Sequence, residues 1–204
     1  MRYPKDHGQQ TRRRIVENAS YGLRQNGANG LSVVDLMKLA GLTHGSFYVY
    51  FESRDALVVE ALALAMDRTV AHWLELTQGL PAEEGFDAVV ESYLSPRHRN
   101  NPARGCALPA LAADIGRSGP EARRTFAGGL EKMIDILARL IPKRSSPDAR
   151  QAATSAIATM VGSIVLARAA GDKQLSEALL EAGRQALRNQ AVSTTAQACA
   201  ADRI

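Results

Sequence analysis

Three helix starts, each with its own capping residue, fall within residues 31–57, LSVVDLMKLAGLTHGSFYVYFESRDAL. Ser32 precedes Val33–Ala40, with Asp35 in the first turn. Thr43 precedes a short helix through Phe51, and Ser53 precedes a long helix running toward Thr77, with Asp55 in its first turn. A Ser or Thr side chain accepts from the backbone N–H groups that a helix start leaves unpaired, and early negative charge suits the helix dipole. Gly41 breaks the first of these helices, and Leu42 alone separates it from the next cap. Two short helices joined this tightly give the layout of a helix-turn-helix. Leu36, Ala40, Leu42, Phe47 and Phe51 can share one small core that fixes the angle between them.

The remainder of the chain reads as helices too. Ile15, Ala19, Gly22 and Leu23 recur at helical spacing in Gln9–Asn26, with Arg12, Arg13, Glu17 and Arg24 on other faces. The run from Asn26 to Gly30 ends that helix. Phe86, Val89, Val90, Tyr93 and Leu94 mark an amphipathic segment stopped by Ser95-Pro96, and a basic loop carrying Arg97, His98, Arg99 and Arg104 comes next. Cys106–Ile115 is helical if Pro109 sits in its first turn. Glu121–Ile141 and Asp148–Ala170 are long helices separated by a loop bounded by Pro142 and Pro147. Ser176 caps a last helix that ends near Asn189. Aromatic residues are only 5% of the chain, and no stretch alternates long enough to suggest a strand. The fold class expected is all-α. A three-helix domain over 1–56 precedes about six helices over 57–192, and a flexible tail spans 193–204.

Several function classes lose support here. Cys106 and Cys199 lie outside any CxxC pattern, and His7, His44, His72 and His98 are scattered, so neither a disulfide framework nor a metal site is expected. No Walker loop, GxGxxG, HExxH or GxSxG occurs, which removes the common routes to an enzyme or a bound cofactor. The polar, basic start lacks an apolar secretory core, and the uncharged stretch Ala152–Ala167 is short for a membrane span. A cytoplasmic location without membrane contact is the expectation. The formal net charge of +4 permits a polyanionic partner without requiring one.

A partner is suggested by what the second short helix leaves exposed. Thr43 would place a hydroxyl at a helix start, where backbone amides attract a phosphate. His44 and Ser46 can reach base edges, and Gly45 lets the backbone approach the groove floor. Tyr48 and Tyr50 offer hydroxyls to phosphate and rings to thymine methyls or sugars. Arg54, Ser32 and Val33 flank this helix at neighbouring helix starts, and Arg12 and Arg13 can track the DNA backbone. The block resembles the TetR family of bacterial regulators. Ser32, Leu36, Ala40, Gly41, Leu42, Thr43, Gly45, Phe47, Tyr48, Tyr50, Phe51, Ser53 and Leu57 stand where that family carries its motif. Met37 departs from the usual Ala, Arg54 from the usual Lys, and Val34 and Leu39 are apolar where polar residues are common.

The resemblance implies more for the second half. Members are homodimers through their last two helices, bind double-stranded palindromic operators, and usually release them on binding a small-molecule effector. Ser155, Thr159, Ser163 and Ala167 make a small-residue stripe, with Ile157, Met160, Val161 and Ile164 beside it. Leu175, Leu179, Ala182 and Ala186 give the last helix a matching face. Candidate effector-lining residues are Trp73, Phe86, Tyr93, Cys106, Phe126, Met133 and Met160, although a plain core accounts better for each. Cys106, beside Gly105 and Arg104 at a helix start, also suggests an oxidant or electrophile sensor. A motif-poor helical enzyme and a purely structural or partner-binding helical module are the remaining alternatives.

Overall fold

The computed structural model describes residues 5–141 and 146–201, and every regular element among them is helical. The loop beginning at Pro142, the last residues of the expected tail and the side chain of Cys199 lie outside the described residues. Three helices open the chain: α1 (Lys5–Asn26), α2 (Val33–Leu39) and α3 (Phe47–Tyr50), with a 3-10 turn at His44–Ser46 before α3. Then come α4 (Arg54–Leu76), α5 (Ala82–Tyr93), α6 (Pro96–Asn100), α7 (Leu108–Gly116), α8 (Pro120–Leu140), α9 (Ser146–Ala169) and α10 (Lys173–Ala201). A second 3-10 turn lies at Pro102–Arg104. The all-α class expected from the sequence is the class observed.

The helices form two compact units. Unit one comprises Met1–Thr69 and Pro102–Gly129; unit two comprises Val70–Asn101 and Leu130–Ile204. In unit one, Ile15, Ala19 and Leu23 lie four apart on one face of α1 and are buried, with Leu36, Met37, Phe47, Phe51, Leu57 and Leu62. Gly22 sets how closely α1 and α2 approach: a Cβ there would stand 2.6 Å from Leu39 Cδ1 and 2.9 Å from Leu31 Cδ1. The Asp114 carboxylate on α7 accepts from the Ala28 amide at 2.7 Å and holds the turn after α1.

Unit two is built on α9 packed along α10. Ala153, Ala156, Ile157, Met160, Ile164 and Ala167 from α9 are buried, as are Leu180 and Leu187 from α10. A Cβ on Gly183 would fall 2.5 Å from Ser163 Oγ, so that pair of small residues lets the two helices cross closely within one chain. By length and composition alone α9 could cross a membrane over Asp148–Ala169, a longer run than Ala152–Ala167. Its buried face, and not its length, is what argues for a core helix.

Four expectations are corrected by this fold. The basic segment after Ser95-Pro96 is the helix α6, because Ser95 Oγ accepts from the His98 amide at 3.2 Å and Pro96 occupies the first turn. That dipeptide starts a helix as readily as it stops one. The cap of α10 is Asp172, whose carboxylate accepts from the Leu175 amide at 2.7 Å; Ser176 is buried and donates to the Ala167 carbonyl at 2.6 Å. The same helix runs on through Ala201, since no Gly or Pro interrupts 190–201. Arg24, expected on an outer face of α1, is buried. Its cover comes from residues some eighty positions away, which the periodicity of one helix does not reveal.

Candidate nucleic-acid interface

The reading head grows from the cap at Ser32. Its hydroxyl accepts from the Asp35 amide at 3.2 Å, and the Asp35 carboxylate accepts from the Ser32 amide at 2.9 Å and from the Ser32 hydroxyl at 2.6 Å. Ser32 is thus the expected cap of α2, and Asp35, expected only as favourable first-turn charge, completes a reciprocal box with it. The Ser32 hydrogen bonds hold the Asp35 carboxyl below its ordinary range. Gly41 then takes φ of +69°, a left-handed conformation that costs a β-carbon residue strain, and turns the chain out of α2.

The segment from Thr43 to Tyr50 is wound more tightly than a continuous short helix. Thr43 caps the 3-10 turn with extended backbone but no side-chain cap bond, and Ser46 Oγ donates to the Thr43 carbonyl at 2.8 Å. The hydroxyl of Thr43 therefore stays on the exposed surface, beside exposed His44 and Gly45. A Cβ on Gly45 would meet nothing within 4 Å, so internal packing gives no reason for a glycine there. Phe47 and Phe51 are buried, with ring centroids 5.7 Å apart. Tyr48 is 69% exposed. Its ring meets Phe47 edge-on at 5.2 Å and His44 at 6.3 Å, which ties the two surface rings to the core. Ser46 and Tyr50 are half-buried.

One surface residue is absent from the sequence-based candidates. Val49 is 76% exposed, the most exposed large apolar residue among those described. The signal is present, since a residue two positions from buried Phe47 is turned about 200° around a helix. An apolar residue type does not advertise itself as a contact.

The arginines divide by role. Arg12 forms a bidentate pair with the Glu60 carboxylate, donates from Nε to the Tyr50 carbonyl at 3.4 Å, and lies over the Phe51 ring at 4.7 Å. Arg54 donates from Nε and Nη2 to the Leu31 carbonyl, at 3.2 and 3.0 Å, and from Nη2 also to the Ala28 carbonyl. Both clamp the head from within. Arg13 is exposed. Arg12→Ala is expected to lower stability by about 1 kcal/mol, the upper range for a partly exposed pair. Arg13→Ala should leave stability unchanged and reduce only salt-dependent nucleic-acid affinity. Urea titrations of both variants test this, and equal stabilities would remove the clamp role.

The candidate effector residues are divided between the two units. Trp73, Phe86, Tyr93, Met133 and Met160 are buried in unit two, where Trp73 meets Tyr93 edge-on at 6.0 Å. Cys106 and half-buried Phe126 belong to unit one. Cys106 is 5% exposed and its Sγ accepts from the Leu108 amide at 3.4 Å. An open polar cleft of about 290 Å³ in unit two is lined by Arg99, Arg168, Asp172, Lys173 and Ser176, among others.

Residues 15–61 match the family described as bacterial regulatory proteins, tetR family, and residues 82–183 match the tetracyclin repressor-like C-terminal domain. An uncharacterised HTH-type transcriptional regulator of Mycobacterium tuberculosis is 30% identical over 170 residues, which cover 79% of this chain and 86% of the relative. Among solved structures, the reduced form of E. coli NemR superposes with a TM-score of 0.76 at 21% identity, over 88% of this chain and 96% of that one. FadR from Bacillus subtilis, solved in complex with stearoyl-CoA, gives 0.67 at 17% identity, over 86% and 96%. At such identities the structural likeness concerns the fold.

Proposed function

The chain belongs to the TetR family of helix-turn-helix transcriptional regulators, and from that premise we propose that it is a ligand-responsive repressor. It binds a palindromic operator in double-stranded DNA as a homodimer in the cytoplasm, and a small-molecule effector releases it. In this reading 1–56 carries DNA binding and 57–192 carries effector binding and dimerisation. The observation that carries it is the segment Thr43–Tyr50, in which Thr43, His44 and Tyr48 are exposed and Ser46 and Tyr50 half-buried while Phe47 and Phe51 anchor it. A helix held outward in this way can lodge in a major groove, and two of them about 34–36 Å apart would read successive half-sites.

Dimerisation finds support on α9 and α10. Val165, Leu166 and Leu175 are exposed, and Ala158, Ala182 and Ala186 lie exposed on the same two helices. The stripe of Ser163 and Ala167 is used inside the chain, so the partner would meet the outer residues. Effector release obeys the population-shift scheme, in which ligand favours a dimer whose heads no longer span one duplex. NemR and FadR share the fold of this chain, and the FadR structure holds an acyl-CoA. Oxidant sensing at Cys106 has less support, because the thiol is buried.

The test is a site selection from a randomised duplex library, with gel shifts over a salt series on the selected site. Affinity should fall log-linearly with salt, with a slope of about −0.9 per phosphate neutralised. His44→Ala should change sequence preference, and Tyr48→Phe should weaken all sequences alike. Binding that ignores salt, or the same profile for both variants, would end the proposal.

Val49 extends it to a base-specific contact. An exposed β-branched side chain beside Tyr48 suits a thymine methyl in the major groove. Replacing thymine by uracil at the contacted position removes only that methyl, and should weaken binding about fourfold, the value of one buried carbon at about 0.8 kcal/mol. Val49→Asn should abolish the difference between the two duplexes; an unchanged difference would move the contact to another residue.

A further inference from the structure

Three guanidinium groups converge on the Tyr21 ring of α1 in unit one. The central carbons of Arg24 and Arg68 lie 5.3 Å from the ring centroid, and that of Arg104 lies 5.5 Å away. One carboxylate, Glu17, pairs with Arg68, which also donates to the Tyr21 hydroxyl at 2.9 Å. The Glu17 hydrogen bond holds the Arg68 guanidinium above its ordinary range. Three cations against this carboxylate leave a surplus of positive charge around one aromatic ring.

Arg24 is the unusual member. It is 4% exposed, donates from Nε to the Ser20 carbonyl at 3.0 Å and from Nη1 to the Gly105 carbonyl at 2.7 Å. Its Nη2 is buried with no acceptor among the described residues, and so is the Ser20 hydroxyl one turn earlier. The groups that act on its charge are Tyr21, Arg68 and Cys106, with no carboxylate among them, and burial draws the guanidinium down from its ordinary range. A buried cation without a counter-charge is costly, and neutral hydrogen-bond partners do not supply the missing charge. The cluster also has an open side: Arg104 is exposed on the 3-10 turn that packs along α1, and Tyr21 is half-buried.

We propose that the Tyr21 cluster binds a small organic carboxylate, which pairs with the Arg24 and Arg104 guanidinium groups and the Ser20 hydroxyl and lays its carbon skeleton against the Tyr21 ring. A planar carboxylate matches the planar fork of a guanidinium, and a flat apolar body matches the ring. This ligand is distinct from the effector that the regulatory reading assigns to 57–192, since Ser20, Tyr21 and Arg24 all lie in 1–56. The site does not rest on the regulatory reading, because binding without DNA tests it separately.

Calorimetric titration of the full chain with benzoate, at constant chloride ionic strength, should show one saturable site. Benzamide, which keeps the shape and lacks the charge, should bind at least tenfold more weakly. Arg104→Gln alters an exposed residue and keeps the fold, and should weaken benzoate at least tenfold. Arg24→Lys should do the same if it folds, whereas Arg123→Gln on α8 should change nothing. Absence of saturable heat, benzamide matching benzoate, or wild-type affinity in Arg104→Gln would each overturn the site. Tighter binding of inorganic phosphate than of benzoate would overturn the carboxylate assignment.

Discussion

Phe47→Ala is expected to melt the reading head and abolish DNA binding while the tyrosine beside it, changed in the same way, leaves the head folded. Phe47 is fully buried and its ring contacts both Tyr48 and Phe51. Truncating a buried phenylalanine typically costs about 3–5 kcal/mol, the transfer of the ring plus the cavity it leaves. The loss falls on α3, which has four residues and cannot persist without tertiary support. Against a total stability of about 5–15 kcal/mol, a loss of that size is decisive for a local element. Hydrogen exchange should show the amides of α2 and α3 losing protection, including the Phe51 amide that now donates to the Phe47 carbonyl at 3.0 Å. Tyr48→Ala removes an exposed ring, so protection should stay and DNA affinity should fall. If Phe47→Ala binds DNA like the wild type, the head is held by something other than this ring.

That contrast also marks what the sequence could disclose. The cap at Ser32, the break at Gly41 and the buried pair Phe47 and Phe51 are local, set by residues within four positions of one another, and a single sequence suffices to read them. Ser95-Pro96 is ambiguous because the same dipeptide serves a helix end and a helix start, and only the His98 amide bonded to Ser95 decides. The roles of Arg12, Arg54 and Arg24 depend on acceptors 38, 26 and 81 positions away, on other elements of unit one. Residue type alone puts these arginines on solvated or phosphate-contacting faces. Folding gives Arg12 and Arg54 internal partners that residue type does not reveal, and it buries Arg24. Val49 shows the converse limit: its position on the helix is legible, but an apolar residue type points to a core until a structure shows it exposed.

His98 should make unit two lose stability on mild acidification. Its ring is packed edge-on to Tyr93 at 4.5 Å, and Nδ1 donates to the Tyr93 carbonyl at 2.7 Å. Burial pushes its pKa down from 6.5 to about 4, with Arg168 and His72 adding smaller effects in the same direction against the Tyr93 carbonyl. The folded protein therefore resists a proton that the unfolded chain accepts. The contribution is whole above about pH 6.5, shrinks as pH falls toward 4, and is gone below that. A shift of this size corresponds to about 3 kcal/mol at about 1.4 kcal/mol per unit. The carboxyls of Asp35 and Glu181 are held below their ordinary range, by Ser32 and by Arg184 respectively, so their contribution is lost as pH falls below about 4.5. Between pH 6.5 and 4.5 the histidine thus dominates. Urea midpoints for the wild type and His98→Asn across that window should converge as the solution is acidified, the wild type losing about 2–3 kcal/mol more than the variant. A difference that stays constant from pH 7 to 4.5 would mean that His98 takes up its proton in the folded protein as easily as in the unfolded chain.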